Sequence, residues 1–210
     1  MKSKTTNEVV AKEGYKLLFI LSFVLLFFYF VECSFISFIV FIFILLSIYI
    51  FRNPERVVEE LDEHQIIAPI DGKILSIESN DSSLSIIIEN FILDTHLIRV
   101  PFNSKIINKK SVCGACLKYS SSKSSILNEN LQLELKSDDK NININILATS
   151  FANRIYFYHN NNDELGKSQR MGFLLSGIIE LELPKNIQLH CDIGDSVKSG
   201  ETILGYFKYE

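Results

Sequence analysis

The sequence predicts an N-terminal transmembrane helical hairpin followed by one mainly-β domain. An almost unbroken apolar run occupies residues 16–51, which is too long for one comfortable span and can form two short ones. Beyond Arg52 the composition becomes that of an ordinary globular domain. In that part of the chain, short isoleucine-rich runs alternate with Asn, Asp and Gly, a pattern typical of strands and turns.

The apolar run is interrupted at its middle by Glu32. A single span would bury this carboxylate in hydrocarbon, where a charge is costly. Two short helices, over residues 15–31 and 34–51, place Glu32 at the membrane surface instead. We therefore predict three parts: a cytoplasmic segment over residues 1–15, the membrane hairpin over 16–51 and the β-rich domain over 52–210.

Positive charges flank the hairpin on both sides, and its tip has none. Lys2, Lys4, Lys12 and Lys16 precede it, and Arg52 and Arg56 follow it. Because positive flanks tend to stay inside, we expect a multi-pass protein of the cell inner membrane with its domain facing the cytoplasm. The alternative is a cleaved signal sequence or a lipid anchor at Cys33, but Val31-Glu32 lacks the small residues that cleavage requires.

Charge and cysteine content exclude two classes of site. A net charge of −4 leaves no basic footprint, so no nucleic-acid partner is expected. Cys113 and Cys116 have the spacing of half a zinc site or of a redox pair. Only one such pair is present, so incidental or buried thiols are the preferred interpretation and no metal site is predicted.

The domain reads as a series of strands, which indicates a barrel or a sandwich. Residues 149–154 are the one segment with a hint of helical spacing. Residues 68–74 and 193–204 resemble opposite halves of a biotinyl or lipoyl-type domain, which favours barrel-sandwich-hybrid-like elements. The modifiable lysine of a carrier domain is missing from both. Predicted strands cover residues 73–78, 83–89, 96–100, 131–136, 141–148, 154–158, 172–175, 178–183, 188–191 and 202–207.

Five motifs follow one another along the chain. They are Phe51-Arg52-Asn53-Pro54-Glu55-Arg56, Ala68-Pro69-Ile70-Asp71-Gly72, Asp94-Thr95-His96-Leu97-Ile98-Arg99-Val100-Pro101, Asn128-Glu129-Asn130 and the segment 166–184. The first three are similar to Phe-Arg-Asp-Pro-Glu-Arg, Ser-Pro-Ala-Asp-Gly and Asp-Val-His-Val-Asn-Arg-Ala-Pro. In this order and spacing, the motifs resemble the phosphatidylserine decarboxylase family, specifically its short members with a membrane hairpin.

The resemblance implies a self-made cofactor. Decarboxylation of an amino acid leaves a carbanion, which requires an electron sink. In this family a serine hydroxyl attacks the preceding carbonyl, the chain is cut, and the serine becomes a pyruvoyl group on the new N-terminus. The resemblance also implies a phospholipid substrate, contact with the bilayer, and a complex of α and β chains after self-cleavage.

By its place among the motifs, Ser176 is the implied pyruvoyl precursor. His96 is the implied acid/base, and Asp71 would orient or support a base. On local grounds alone, Asp71 could be a turn residue, His96 a half-buried structural histidine, and Ser176 the end of a strand. The family's Gly-Ser is replaced here by Leu175-Ser176-Gly177, and an ungapped alignment backward from Pro184 puts Gly177 on the serine position.

The function predicted from the sequence is pyruvoyl-dependent decarboxylation of phosphatidylserine to phosphatidylethanolamine by a carboxy-lyase made as a zymogen. One alternative is a non-catalytic relative that has lost self-cleavage. The other is a membrane-tethered barrel-sandwich adaptor of the kind found in secretion and efflux systems. That adaptor would be expected to show long helical hairpins and an exported domain.

Overall fold

The computed structural model describes residues 9–56, 62, 64–80, 83–115, 117, 127–137, 140–150 and 154–208. The chain divides into two compact units, a helical unit (Thr5–Glu55) and a β-rich unit (Arg56–Glu210). The predicted short helix at residues 149–154 includes positions 151–153, which lie outside the described residues, as does Cys116 of the predicted cysteine pair.

The helical unit consists of α1 (Lys12–Phe30) and α2 (Ser34–Ile50), which pack against each other. The turn between them contains Glu32 in the left-handed region, with φ 59°. By length and apolar composition α1 could cross a membrane, whereas α2 is apolar but shorter. The predicted helices, over residues 15–31 and 34–51, overlap these two closely. The coarse prediction of two N-terminal helices before a mainly-β domain is confirmed.

Serine hydroxyls in the apolar helices donate to backbone carbonyls of the preceding turn. The hydroxyl of Ser22 donates to the carbonyl oxygen of Leu18 at 2.8 Å, and Ser47 donates to Phe43 at 2.7 Å. Such bonds to the preceding turn remove the need for water around a helical serine. The two ends of the hairpin are also joined, since the Ala11 amide donates to the carbonyl of Phe51 at 2.8 Å.

The β-rich unit is built on one eight-stranded antiparallel sheet of order β13-β2-β3-β11-β7-β6-β5-β9. The alternating pattern of the central strands explains its formation, because apolar side chains at every second position share one face. In β7, for example, Ile142, Ile144 and Ile146 are fully buried. The strands are β2 (Gly72–Ser79), β3 (Ser83–Asn90), β5 (Ser104–Val112), β6 (Asn130–Ser137), β7 (Lys140–Ala148), β9 (Glu164–Leu165), β11 (Gly177–Pro184) and β13 (Ser196–Val197).

Two small antiparallel sheets complete the unit, one of order β1-β14-β12 and one of order β4-β10-β8. Their side chains join those of the large sheet in one core, in which Phe102 packs edge-on against Phe207 at 5.7 Å between ring centroids. The strands are β1 (Gln65–Ile67), β14 (Ile203–Phe207), β12 (Ile187–Leu189), β4 (Leu97–Arg99), β10 (Arg170–Phe173) and β8 (Tyr156–Phe157).

The two segments that resemble halves of a biotinyl-type domain lie beside each other. The Ala68 amide donates to the carbonyl of Thr202, and the Gly200 amide donates to the carbonyl of Ala68. Further along, the Ile74 amide donates to the carbonyl of Asp195 at 2.9 Å. The C-terminal segment therefore packs against the first strands of the unit. As a result, residues that are distant from Asp71 in the sequence lie close to it in space.

Candidate active site

Three of the motifs meet at the carboxylate of Asp71. Arg56 forms a bidentate pair with it, with Nη2 donating to Oδ2 at 2.7 Å and Nη1 donating to Oδ1. The hydroxyl of Thr95 donates to Oδ2 at 2.5 Å, and the Ser199 amide donates to Oδ1 at 2.7 Å. The side chains of Arg56 and Asp71 are only 9% and 11% exposed. Charge-assisted bidentate pairs of this kind hold both side chains in one orientation.

These contacts set the charge of Asp71. Burial alone raises the pKa of a carboxyl group, but the hydrogen bonds from Arg56, Thr95 and Ser199 outweigh burial and hold the pKa of Asp71 below its ordinary value. In the same pair, burial acts to lower the pKa of Arg56, and the bond and charge of Asp71 raise it overall. Asp71 is therefore a fixed anion whose two oxygens are both engaged.

Asn90, the last residue of β3, is the second centre of the site. Its Nδ2 donates to the backbone carbonyl of Asp71 at 2.8 Å and to that of Thr95 at 3.1 Å. Its Oδ1 lies 3.2 Å from Nδ1 of His96. In the sheet, Asn90 is the register partner of Gly177. One buried amide thus joins Asp71, His96 and the start of β11.

His96 is fully buried beside the β10–β11 connection. Its ring packs edge-on against Phe173 at 5.7 Å between centroids, and its backbone carbonyl accepts the Leu174 amide at 2.9 Å. The amide nitrogen of Asn90 is committed to two carbonyls, so its oxygen faces the ring and Nδ1 of His96 carries the hydrogen of that contact. The other ring nitrogen, Nε2, lies 3.1 Å from the carbonyl oxygen of Ile92.

Ser176 lies in the three-residue connection between β10 and β11 and is buried. Its hydroxyl oxygen lies 3.3 Å from the hydroxyl oxygen of Thr149, and the Thr149 amide donates to the carbonyl of Ser176 at 3.1 Å. The predicted site residues therefore gather at one end of the large sheet. Asp71 and His96 are joined through Asn90, whereas the hydroxyl of Ser176 faces Thr149.

The geometry distinguishes Ser176 from position 177. Gly177 is the first residue of β11, and a Cβ there would lie 2.3 Å from the carbonyl oxygen of Leu147 and 2.8 Å from the side chain of Leu174. A backbone oxygen cannot retreat without disturbing the pairing of β7 with β11, so a serine is not accommodated at 177. Ser176 directly precedes β11, and its side chain supplies the hydroxyl group of this turn. Ser176 lies outside the paired residues of β11. Shifting the sequence alignment by one residue therefore does not move Ser176 to the opposite face of the sheet.

The motif Asn128-Glu129-Asn130 supports the same turn from the other side. Nδ2 of Asn128 donates to the carbonyl of Ala148 at 2.8 Å, and Ala148 is the register partner of Gly177 in β7. Glu129 accepts the Ile155 amide at 3.2 Å through its side chain. Two motifs thus lie beside the segment that contains Ser176, since His96 contacts Phe173 and Leu174, and Asn128 bonds the register partner of Gly177.

A family model described as phosphatidylserine decarboxylase matches residues 43–205 of the chain. The chain belongs to the phosphatidylserine decarboxylase family. It is 32% identical over 205 residues to a phosphatidylserine decarboxylase proenzyme of Desulfotalea psychrophila, with 93% of this chain and 95% of the relative covered. It is 32% identical over 209 residues to the proenzyme of Ehrlichia chaffeensis, with 95% and 92% covered. No solved structure matches the chain significantly.

The predicted membership of the phosphatidylserine decarboxylase family is confirmed. The predicted activity, that of a carboxy-lyase acting on phosphatidylserine, is the one for which the family and these relatives are named. The relatives are called proenzymes, in agreement with a protein made as a zymogen. The match extends through most of the β-rich unit, so the membrane-tethered adaptor is set aside.

Sequence reasoning gave no role to several residues of the cluster. Arg56 and Thr95 belong to two of the motifs, but only the fold shows that both bind Asp71. Asn90 ends an isoleucine-rich strand, and its polarity at a buried strand end was the one available signal. Thr149 lies one residue beyond a predicted strand and belongs to none of the five motifs, so nothing in the local pattern indicated its contact with Ser176.

Proposed function

We propose that this protein is a self-processing phosphatidylserine decarboxylase that cuts its own chain between Leu175 and Ser176. The observation that carries the proposal is the convergence of the family motifs on one end of the sheet. Asp71, Asn90 and His96 form a continuous hydrogen-bonded cluster there, and Asn90 is paired across the sheet with Gly177, next to Ser176.

The residues around Ser176 fit a pyruvoyl group at the N-terminus of the cut chain. Ser176 is buried, and the hydroxyl of Thr149 faces it at 3.3 Å as a hydrogen-bonding group. When formed there, the group would supply the electron sink for loss of carbon dioxide from the substrate. Cutting before Ser176 leaves every pairing of β11 intact, because the strand begins at Gly177.

The first step is an acyl shift at one peptide bond. The oxygen of Ser176 attacks the carbonyl carbon of Leu175, a C–O bond forms, and the C–N bond breaks as nitrogen takes up a proton. Elimination across Ser176 then splits the ester, leaves a carboxylate on Leu175, and hydrolysis of the resulting enamine releases ammonia. The hydroxyl must be held and must lose its proton, and Thr149 supports the first requirement because it faces Ser176 at 3.3 Å.

His96 and Asp71 have different tasks in this proposal. His96 is the proposed acid/base residue, because its ring packs on Phe173 and its backbone carbonyl accepts the Leu174 amide, next to the turn that contains Ser176. Asp71 acts through position and charge, because both of its oxygens are engaged by other groups. Through Asn90, it holds the loop that carries His96.

The helical hairpin anchors the protein, and we propose a multi-pass arrangement in the cell inner membrane with the β-rich unit in the cytoplasm. The lysines before α1 and Arg52 after α2 support this orientation. The self-satisfied serines of the helices support placement in hydrocarbon. A reporter fused after Glu210 should be active only in the cytoplasm, and a periplasmic signal would reverse the assignment.

Cleavage is tested on the purified full chain. Denaturing electrophoresis and intact mass measurement should find two pieces, residues 1–175 and 176–210. A Ser176→Ala variant should remain whole. The cut protein should convert phosphatidylserine in mixed micelles to phosphatidylethanolamine, and hydroxylamine, which captures carbonyl groups, should stop that conversion. A wild-type chain that stays whole, and migrates like the variant, contradicts self-processing.

A second candidate function is supported by the turn itself. The family's Gly-Ser is absent, and position 177 has no space for a side chain. A non-catalytic relative would keep the fold and the phospholipid headgroup site without self-cleavage. The same experiment separates the two candidates, since this relative stays uncut and yields no phosphatidylethanolamine yet retains saturable binding of phosphatidylserine vesicles.

A further inference from the structure

A short loop, residues 91–94, joins β3 to the segment that carries His96. The loop is a tight turn closed at both ends by the same two residues. The Asp94 amide donates to the carbonyl of Phe91 at 2.9 Å, and Oδ2 of Asp94 accepts the Phe91 amide at 2.9 Å. The turn therefore has a defined shape, and the charge of Asp94 is directed back onto its own backbone.

This turn presents two large apolar side chains to the outside. Phe91 is 50% exposed and Leu93 is 58% exposed. Neither belongs to the hydrophobic core. Single exposed apolar residues are common on protein surfaces, but here an aromatic and an aliphatic side chain share the tip of one fixed turn.

The tip is directly connected to the candidate site. The carbonyl of Ile92, between the two exposed side chains, lies 3.1 Å from Nε2 of His96. Asn90, which precedes the loop, contacts the other ring nitrogen of His96 and the backbone of Asp71. Anything that fixes this loop therefore fixes the immediate surroundings of His96.

We propose that Phe91 and Leu93 insert into the surface of a phospholipid bilayer and form a membrane contact in addition to the apolar hairpin. The inference rests on the proposed function, because a phospholipid substrate is what places the site at a bilayer. Two side chains are far too small a surface for a stable protein partner, which needs on the order of 1,200 Å² of total buried area. An aromatic–aliphatic pair is well suited to the boundary between headgroups and acyl chains.

The contact would set the depth of the site. With Phe91 and Leu93 below the headgroups, His96 lies at the level where the serine headgroup of the substrate is found. The substrate would then reach the site without leaving the bilayer completely. The loop thereby acts as a positioning element for a lipid headgroup.

The chain contains no tryptophan, so single-tryptophan reporters can test this directly. Phe91→Trp and Leu93→Trp are each made in the full chain and reconstituted into phosphatidylglycerol vesicles, with either ordinary or brominated acyl chains. Ile107→Trp is the matched control, because Ile107 is also apolar, is 46% exposed, and lies on β5 of the same unit.

Bromine quenches only tryptophan that reaches the acyl-chain region. We expect both loop reporters to lose fluorescence in brominated vesicles at least about twofold more than Ile107→Trp, as interfacial insertion requires. Equal quenching at the loop and control positions overturns the proposal. Circular dichroism of each variant confirms that the fold is retained.

The result does not depend on cleavage or activity. The same reporters placed in the Ser176→Ala background should be quenched to the same extent. Quenching at the loop in an uncut and inactive chain would support the membrane contact while contradicting the proposed activity. If the protein is active but its loop reporters are not quenched, the proposed activity is supported and the membrane contact is contradicted.

Discussion

The carboxylate of Asp71 accepts hydrogen bonds from three separate parts of the chain. A guanidinium, a hydroxyl and a backbone amide bind its two oxygens, and they come from the linker after α2, the loop before β4 and the segment after β13. A carboxylate with this many partners holds three separate parts of the chain together. Its loss is therefore expected to affect both the fold and the site, and the two effects have to be measured separately.

The Asp71–Arg56 pair makes stability dependent on acid. The pKa of Asp71 lies below its ordinary value of 3.8, so its contribution is fully present above that value and is lost as pH falls through the lower folded-state pKa. We expect the free energy of unfolding of the β-rich unit to fall below about pH 4, measured by denaturant titration in detergent. The slope should be shallower in Asp71→Asn, and an identical slope would contradict this.

Removing Arg56 should be more damaging than removing the carboxylate charge. Arg56→Met leaves the buried Asp71 anion without its guanidinium, at a cost of roughly 3–5 kcal/mol. The double variant Arg56→Met/Asp71→Asn should recover part of that loss, because no buried charge remains unpaired. Thermal unfolding followed by circular dichroism measures both. Additive losses in the double variant would indicate that the pair is not coupled.

The Thr149–Ser176 hydroxyl pair gives a test of the cleavage turn. Thr149→Val removes the hydroxyl but keeps the side-chain shape, and we expect cleavage to slow by about tenfold, the equivalent of one hydrogen bond. Thr149→Ser restores the hydroxyl and should cleave at nearly the wild-type rate. Accumulation of the fragment of residues 176–210 after synthesis is followed by electrophoresis. Equal rates in both variants would remove Thr149 from the mechanism.

At the scale of elements, strand pairing fixes the position of Gly177 beside the candidate serine. β11 is held between β3 and β7 along most of its length, so its first residue cannot move toward the site without breaking ladder bonds. Residues 174–176 lie between β10 and β11 and belong to neither strand. In β5, Ile106 is the one buried residue and most of the other side chains are exposed. The strand therefore has no regular apolar alternation by which the sequence could have predicted it.

Placing serine at the alignment position should fail for steric reasons. Gly177→Ser drives Cβ against the carbonyl of Leu147, and we expect a loss of roughly 1–3 kcal/mol in unfolding free energy with no gain in cleavage. Gly166→Ser is the matched control, since its Cβ would meet only the end of the Gln169 side chain, at 3.6 Å. Faster cleavage in Gly177→Ser would show that position 177 carries the reactive hydroxyl.

At the scale of the whole molecule, the two products of cleavage are expected to remain one β-rich unit. The piece after the cut contains β11, β12, β13 and β14. Of these, β11 pairs with β3 and β7 of the other piece, β13 with β2, and β14 with β1. The shared core spans both pieces. A complex of α and β chains follows from this pairing without any further contact.

That association can be measured with a tag after Glu210. In mild detergent, the tagged fragment of residues 176–210 should retain the fragment of residues 1–175, which contains both apolar helices, on an affinity resin. Washing with 8 M urea, well beyond the unfolding midpoint of a typical domain, should release the larger fragment. Release under native conditions would contradict a shared fold after cleavage.

The sequence alone determined the features that depend on local pattern. Residues 16–51 are so uniformly apolar that two helices follow from hydropathy and from the position of Glu32. Strands such as β7 follow from the alternation of Asn and Ile. The order of the motifs was sufficient to predict the family. Ser176, His96 and Asp71 were selected by matching motifs, and their chemical roles stay predictions to be tested by the cleavage and activity experiments.

Only the tertiary structure decided what those residues touch. Arg56 and Asp71, Asp71 and Ser199, and Thr149 and Ser176 are pairs separated by many residues, and no local pattern encodes a contact made when strands from different parts of the chain align. The exclusion of a side chain at Gly177 likewise depends on a carbonyl of a neighbouring strand. Local sequence sets which elements form, whereas the register between elements sets which side chains from distant parts of the chain come into contact.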